Sequence, residues 1–400
     1  MKQSISTPRK FEPGPSRDSL ATAAHSACRV EVVTEYETFL QLQTKWDRLA
    51  EDAGLSHPFL SHDWVRTWWE CFGEGKELFL LLVMEKEKLM AIAPLMLSQE
   101  KMYGMRMRRL GFIYNPHTPR CDFLVARDSK QAYWAIWEYL RHNKNVWDVV
   151  DLCQMPAESR TLLEIQEYAC ADQFLTGIWQ GEKSPYVPVE MWNVYLDGLN
   201  NKHRKKLRNG LKSINKLGQT ELEVVSSGEK LEKALEDGFR IEAAAWKGHA
   251  GTAIANNPAV RLFYSRLAGR TAKRGWLRLH FLTVGRRRIA FEYSLCYKNK
   301  LFLLKPGYDP AYATYSPSRL LIALTLQNAS EQGLTEFDML GSDDGWKLKW
   351  TKELRPHSWL FVYPRNLRGV LLHAIKFRLT SKVRDILGRR PARSDPFGLE

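Results

Sequence analysis

The sequence predicts an α/β fold built on a mixed, mostly antiparallel sheet flanked by helices, arranged as two such units in tandem. Three observations carry this. Strand-length apolar runs alternate with amphipathic helices along most of the chain, which indicates a layered α/β architecture. At 400 residues the chain is too long for one ordinary core and fits two domains. Both halves run as an antiparallel meander, a helix and a further strand, without repeated sequence.

The elements follow in chain order. Residues 1–28 are polar, rich in Pro and Ser, and lack the apolar run of a signal peptide, so a disordered tail is expected. Glu35–Ala53 reads as a helix with Phe39, Leu42, Trp46 and Leu49 on one face. Phe59–Phe72 reads as a second, capped by Ser61. Leu78–Met84 and Leu89–Leu97 are strands around a charged turn, and Cys121–Ala126 is a short strand. Lys130–His142 and Glu158–Cys170 are helices, with Val146–Cys153 between them as a strand apolar enough to be buried on both faces. The polar, Pro-bearing segment Gln180–Pro188 is expected to separate the halves. The organisation is thus a tail (1–28), two units (29–185 and 186–364) and a basic tail (365–400).

In the second half Asn200–Leu217 is a very basic helix, Glu221–Val225 a strand, and Glu229–Trp246 and Pro258–Arg274 helices. Trp276–Val284, Ile289–Tyr297 and Leu301–Lys305 form a meander. The loop PGYDPAYATYSP leads into a helix over Ser318–Gln332, stopped by Gly333, and a strand over Thr335–Leu340.

Composition narrows the function. The net charge of +14 is concentrated in Lys202–Lys216 and Arg365–Arg393, which suits either a polyanionic ligand or a solvated basic face. None of the six cysteines forms a C-x-x-C pair or a zinc pattern, consistent with a reducing cytoplasm and no metal site. No apolar stretch is long enough for a bilayer. The 14 Trp are many, and some are expected to line clefts.

The helix starting near Ser316 and Pro317 offers a seat for pyrophosphate. Ser316 suits the N-cap, Pro317 the first turn, and Arg319 adds charge to the exposed amides. Residues Gly275–Trp350 resemble the BioF2-like or CelD-like acyltransferases of the GCN5-related N-acetyltransferase (GNAT) superfamily. The resemblance lies in GWLRLHFLTVGRRRIAFEYSL, GYDPAYATYSPSRLL and EFDMLGSDDGWKLKW, also in EAAAWKGHAGTAI upstream, and more loosely in MAIAPLML and SPYVP of the first half. The chain is also similar to the Fem peptidyltransferases, which use two such folds in tandem.

That resemblance implies a splayed sheet holding acetyl-CoA or another acyl-CoA between Leu301–Lys305 and Thr335–Leu340. Tyr315, Ser316, Ser318, Arg319 and Leu320 would bind its pyrophosphate. Ser318 departs from the family pattern, where a Gly is common and its Cβ is absent. Glu292 is a candidate general base or a solvent-facing strand residue. Asp338 is a candidate base or a salt-bridge partner. Lys347 would stabilise an oxyanion. Trp246, Lys247, Tyr308, Trp346 and Trp350 would line the acceptor side, with loop packing an alternative for the Tyr and a surface position between aromatics an alternative for Lys347. The expected partners are acyl-CoA and a carbohydrate or peptide precursor in envelope or exopolysaccharide synthesis. Charged tRNA on the basic helix is the alternative for a Fem-type enzyme, and a non-catalytic subunit of a polysaccharide synthase is a third reading. The C-terminal tail would rest on anionic lipid or pack on its own domain.

Overall fold

The computed structural model describes residues 28–127, 129–244 and 254–379. The first half comprises β1 (Cys28–Val33), α1 (Tyr36–Gln41), α2 (Gln43–Asp52), α3 (His62–Phe72), β2 (Glu77–Glu85), β3 (Lys88–Met102), β4 (Met105–Phe112), β5 (Leu124–Val125), α4 (Lys130–His142), β6 (Val149–Pro156), α5 (Arg160–Ala171) and β7 (Leu175–Pro188). The second comprises α6 (Trp192–Gly198), α7 (Asn201–Ile214), β8 (Thr220–Val225), α8 (Leu231–Ala244), α9 (Pro258–Lys273), β9 (Leu277–Val284), β10 (Arg287–Tyr297), β11 (Lys300–Tyr308), α10 (Pro317–Glu331), β12 (Glu336–Asp338), β13 (Leu354–Tyr363) and α11 (Leu367–Ala374).

The two halves repeat one topology. In the first, the antiparallel β2–β3–β4 meander leads through α4 to β6, which pairs in parallel with β4. In the second, β9–β10–β11 leads through α10 to β12, which pairs in parallel with β11. A helical crossover is what a parallel pair requires. Ser61 accepts from the Trp64 amide at 3.2 Å and starts α3 as its sequence suggests. The helix expected over Glu35–Ala53 is two helices, broken at Leu42. As expected, β6 is buried on both faces over most of its length.

The sheet is continuous. Its order is β1-β2-β3-β4-β6-β13-β7-β12-β11-β10-β9-β8, with β5 beside β3. The segment Gln180–Pro188, read as a separator, is instead the second half of the central strand β7. Its residues Leu175–Pro185 pair with β13, and Tyr186–Pro188 pair with β12. Strand β13 comes from the second half of the chain yet inserts between β6 and β7, pairing with both. A polar composition misleads here because backbone pairing on both edges, not side-chain burial, holds this strand.

Side chains join the halves as well. One apolar core mixes Phe59, Trp64 and Trp68 with Phe263, Tyr293 and Phe302. Phe59 meets Phe302 edge-on at 5.4 Å, and Trp64 meets Phe263 at the same distance. Around it, Arg270 bonds Glu70 at 2.7 Å and Arg274 bonds Asp63 at 2.7 Å. The inner face of α11 buries Leu372, while Leu367, Val370 and Leu371 are exposed. A π-helical turn, Ile375–Leu379, continues α11, and the expected C-terminal helix beyond residue 379, like residues 1–27, lies outside the described residues. No helix among the described residues is long and apolar enough to cross a membrane.

The first half therefore depends on β13. A chain ended at Glu353 should lose the cooperative thermal transition of the first half, followed by circular dichroism. A truncated chain that still melts cooperatively would show that half to be independent.

Candidate active site

Strands β11 and β12 pair for only three residues: Lys300 with Glu336, Leu301 with Phe337 and Phe302 with Asp338. Beyond that point they part, for three local reasons. Ser294 of β10 faces Leu303 and Tyr293 faces Lys305, so Leu304 is an extra, bulged residue on β11. On β12 the fully buried Asp338 carboxylate accepts from the Leu340 amide at 2.9 Å, from Arg355 at 2.6 Å and from Arg120. Leu340 and Gly341 then take positive φ values of 51° and 59°, which turn the chain off the sheet. The other edge of β12 stays on β7, with the Met339 amide on Pro185 O at 3.0 Å.

The parted strands open into a cavity of about 590 Å³, a size that suits a small ligand. Leu303, Leu304, Met339 and Leu340 line it between the strands. The start of α10 and Trp346, Lys347 and Trp350 complete its lining. Gly307 lets β11 pass close to α8: a Cβ there would lie 2.5 Å from the Glu242 Cα.

Ser316 holds the N-cap position of α10 in the left-handed conformation, φ 55° and ψ 55°, and its side chain caps nothing. This corrects the expected capping role. Its carbonyl instead accepts from the Arg319 and Leu320 amides at 3.0 and 3.3 Å. Pro317 has no amide to satisfy, so Ser318 contributes the helix-end N–H beside the cavity. The Ser318 side chain is half-buried in the cavity wall, so the position accommodates a Cβ.

Cations converge on this end. The His203 imidazole lies in the wall, packed edge-on to Trp350 at 4.6 Å. Burial lowers its pKa below the usual range, and Arg319, Lys349 and Lys206 lower it further. Three cations close enough to repel an imidazolium are also placed to attract phosphate. Lys206 belongs to α7, whose basic face is exposed and whose Gly210 abuts Leu320 of α10.

Residues 201–348 match the family described as acetyltransferase (GNAT) domain. That part of the chain is therefore similar to GNAT acetyltransferase domains. The fold of FemX resembles the whole chain, with a TM-score of 0.57 and 12% identity over 90% of this chain and 100% of that one. A tandem GNAT protein from the clavulanic acid biosynthesis pathway matches at a TM-score of 0.45 and 12% identity, over 84% and 98% of the two chains. No curated protein sequence matches. The parted β11–β12 pair and the repeated topology make this a tandem GNAT-like fold.

Of the residues expected at the pyrophosphate end, Ser316, Ser318 and Arg319 line the cavity. Tyr315 does not, and Leu320 is buried in the core beneath α10. Tyr308, Trp346, Lys347 and Trp350 also line it, whereas Trp246 and Lys247 lie outside the described residues. Lys347 Nζ donates to Leu340 O at 2.6 Å and Ser342 O at 2.9 Å, so it holds the turn that keeps the strands apart. Burial lowers its pKa.

The two carboxylates singled out as bases are elsewhere. Asp338 is an anchor, its oxygens engaged by two guanidiniums and an amide. Glu292 lies behind the sheet under α10, where Thr325 donates to its Oε2 at 2.8 Å. It does not line the cavity, and burial raises its pKa to about 8. Among the cavity-lining residues that sequence reasoning missed are the ionisable His203, Glu242, Asp344 and Lys349. His203 and Lys349 sit within basic stretches whose charge hid their position, and Glu242 carried no periodic signal.

Two outcomes follow. The ordinary Glu292 carboxyl value of 4.5 rises to about 8 on folding, so its protonated form favours the fold. Its contribution is complete below pH 4.5 and is lost as pH rises through about 8. Glu292→Gln should flatten that loss in denaturant midpoints measured across this window. Asp338→Ala strands the buried Arg120 and takes one partner from the half-buried Arg355, and should destabilise by about 3–5 kcal/mol in urea unfolding, while Asp338→Asn should cost less.

Proposed function

We propose that this chain is an acyl-CoA-dependent N- or O-acyltransferase acting on a sugar- or peptide-linked acceptor, of the kind used to build envelope or exopolysaccharide precursors in the cytoplasm. The observation that carries the reading is the parted β11–β12 pair opening beside a helix start ringed by Arg319, Lys349 and Lys206. Phosphates of the donor would meet the Ser318 amide and these cations, and an extended apolar arm would lie along Leu303 and Met339. Acyl-CoA supplies a thioester; the residues orient it and neutralise charge.

The transfer forms a C–N or C–O bond to the thioester carbon and breaks the C–S bond. The proton of the nucleophile ends on the thiol sulfur. Lys347 donates to the Leu340 and Ser342 carbonyls and pairs with Asp344 at 3.7 Å, which fixes its charge at the cavity wall where an oxyanion would develop. A buried, turn-holding lysine is pre-positioned to stabilise it.

A second reading follows from α7. Its exposed Lys202, Lys205, Arg208 and Lys212 extend the basic surface outward from the cavity mouth, which would suit a longer polyanion such as the charged tRNA of a Fem-type transfer.

Calorimetry decides between them. Acetyl-CoA should bind, and Arg319→Ala or Lys349→Ala should each weaken binding about tenfold, the worth of one charge-assisted contact. If no CoA thioester binds and charged tRNA binds with a steep salt dependence, the second reading replaces the first.

A further inference from the structure

Away from the cavity, four cations gather around one carboxylate. A surface recess of about 650 Å³ is lined by Tyr36, by Arg66 and Glu70 of α3, and by Arg266, Arg270 and Lys273 of α9. It lies on the seam where α3 of the first half meets α9 of the second. None of its residues lines the cavity between β11 and β12, or the smaller pocket of about 130 Å³ that shares Leu304, Leu340 and Gly341 with that cavity.

Glu70 is already fully engaged. It accepts from the Tyr36 hydroxyl at 2.6 Å, Arg66 Nε at 2.9 Å, Arg270 Nη2 at 2.7 Å and Arg266 Nη1 at 3.1 Å. Burial would raise its pKa, but Tyr36, Arg270 and Arg66 outweigh that and hold it at about 2. Burial and Glu70 raise the Tyr36 pKa to about 12, so its hydroxyl stays a donor. One negative charge therefore faces four positive ones. The next carboxylates along the seam bring no balance, because Arg274 takes both Asp63 and Asp47, at 2.7 and 2.8 Å. Like charges this close repel, and the excess is not offset from within the recess.

The cations divide by what they hold. Arg270 places its nitrogens on Glu70 and Thr67, and so orients the carboxylate. Arg266 places one nitrogen on Glu70, and its side chain is 43% exposed, which leaves N–H groups of its fork open to solvent. Lys273 is exposed and has no ion-pair partner among the described residues.

Gly269 stands between them, in the interior of α9, and lines the same recess. After proline, glycine is the poorest residue for a helix interior. It is normally kept there when a neighbour presses on the backbone, and at Gly269 none does: a Cβ would meet nothing within 4 Å. The fold makes no packing use of the missing side chain. What remains is bare helix backbone, open to close approach from outside.

The ligand that fits such a recess is small, anionic and rich in acceptors. Guanidinium forks take phosphate oxygens in pairs, and an ammonium adds a point charge. A phosphate monoester brings about two charges at neutral pH and three terminal oxygens. We propose that this recess is a binding site for a phosphate monoester, held by Arg66, Arg266 and Lys273 over the bare backbone at Gly269, and that its occupant clamps α3 to α9 and so the two halves of the chain. The site stands independently of the acyltransferase reading. A ligand bound only by the folded seam stabilises the fold by mass action.

Inorganic phosphate is the probe, titrated into the full chain at constant ionic strength with chloride as control, and followed by thermal melting and calorimetry. Phosphate should raise the melting temperature saturably, and chloride should not. Lys273→Ala removes no ion pair of the fold. It should leave the phosphate-free melting temperature unchanged and weaken phosphate about tenfold, the worth of one charge-assisted contact. Gly269→Glu puts a carboxylate of the chain's own among the cations, and Gly269→Gln is its uncharged match in size and helix propensity. Both should melt above the native chain, Gly269→Glu above Gly269→Gln, and Gly269→Glu should lose the response to phosphate. Equal melting of these two variants, or phosphate binding unchanged in Gly269→Glu or Lys273→Ala, would overturn the proposal. So would binding abolished by Arg319→Ala, which puts the anion in the cavity instead. Vesicles of phosphatidylcholine with phosphatidic acid separate two sources of the same group. Co-sedimentation that Gly269→Glu abolishes supports the site with a lipid headgroup as occupant; phosphate binding without co-sedimentation supports it with a small soluble phosphate ester.

Discussion

The Asp338 carboxylate is where the architecture turns from a sheet into a site. It is buried at the last paired residue of β12, and a buried carboxylate must be met by charge and hydrogen bonds. Here Arg120, Arg355 and the Leu340 amide meet it. The amide bond bends the chain after Asp338, and the guanidiniums tie that bend to the loop before β5 and to β13. Glu336, two residues earlier on the same face, accepts from Lys300 at 3.3 Å and from Arg355 at 3.0 Å. The strand is therefore clamped by charge up to the point where pairing with β11 ends, and the gap beyond it is part of the folded state.

The same clamp explains why the first half is more than a support. Arg120 belongs to it, as do β6 and β7, which sandwich β13. The ion pairs of Arg270 and Arg274 with Glu70 and Asp63, and the shared aromatic core, bind the faces of the two halves together. Cations flank both sides of the gap: Arg319 and Lys349 line the larger pocket, and Lys305 the smaller, beside Arg120 and Arg355. Neutral imidazoles at His203, His117 and His357 follow from burial beside cations, and they leave the net field to Lys and Arg.

The second-half meander was legible because β9, β10 and β11 carry apolar residues on both faces and charged turns between them, so composition and periodicity agreed. The start of α10 was legible because Pro317 restricts where a helix can begin, although Ser316 reached the N-cap by an unusual backbone conformation. Strand β13 was not read, since RPHSW opens with polar and Pro residues and pairs with segments about 200 residues earlier. The far end of β7 was missed for the same reason. Glu292 looked catalytic because alternation puts it among small residues, yet that face lies under α10, and periodicity cannot say which layer covers a face.

The sequence by itself determined the two repeated units, the helix start beside the gap and the cationic character of that end. These depend on neighbours within a turn or a hairpin, and on residue types whose charge or φ preference is intrinsic. Only the tertiary structure decided which carboxylates line the cavity and which anchor strands, that β13 crosses into the first half, and that Thr118 and Gln154 join a pocket sharing Leu304, Leu340 and Gly341 with the larger one. Those facts depend on contacts between residues far apart in the chain. Burial there sets whether a polar atom is met by the protein or left for a ligand.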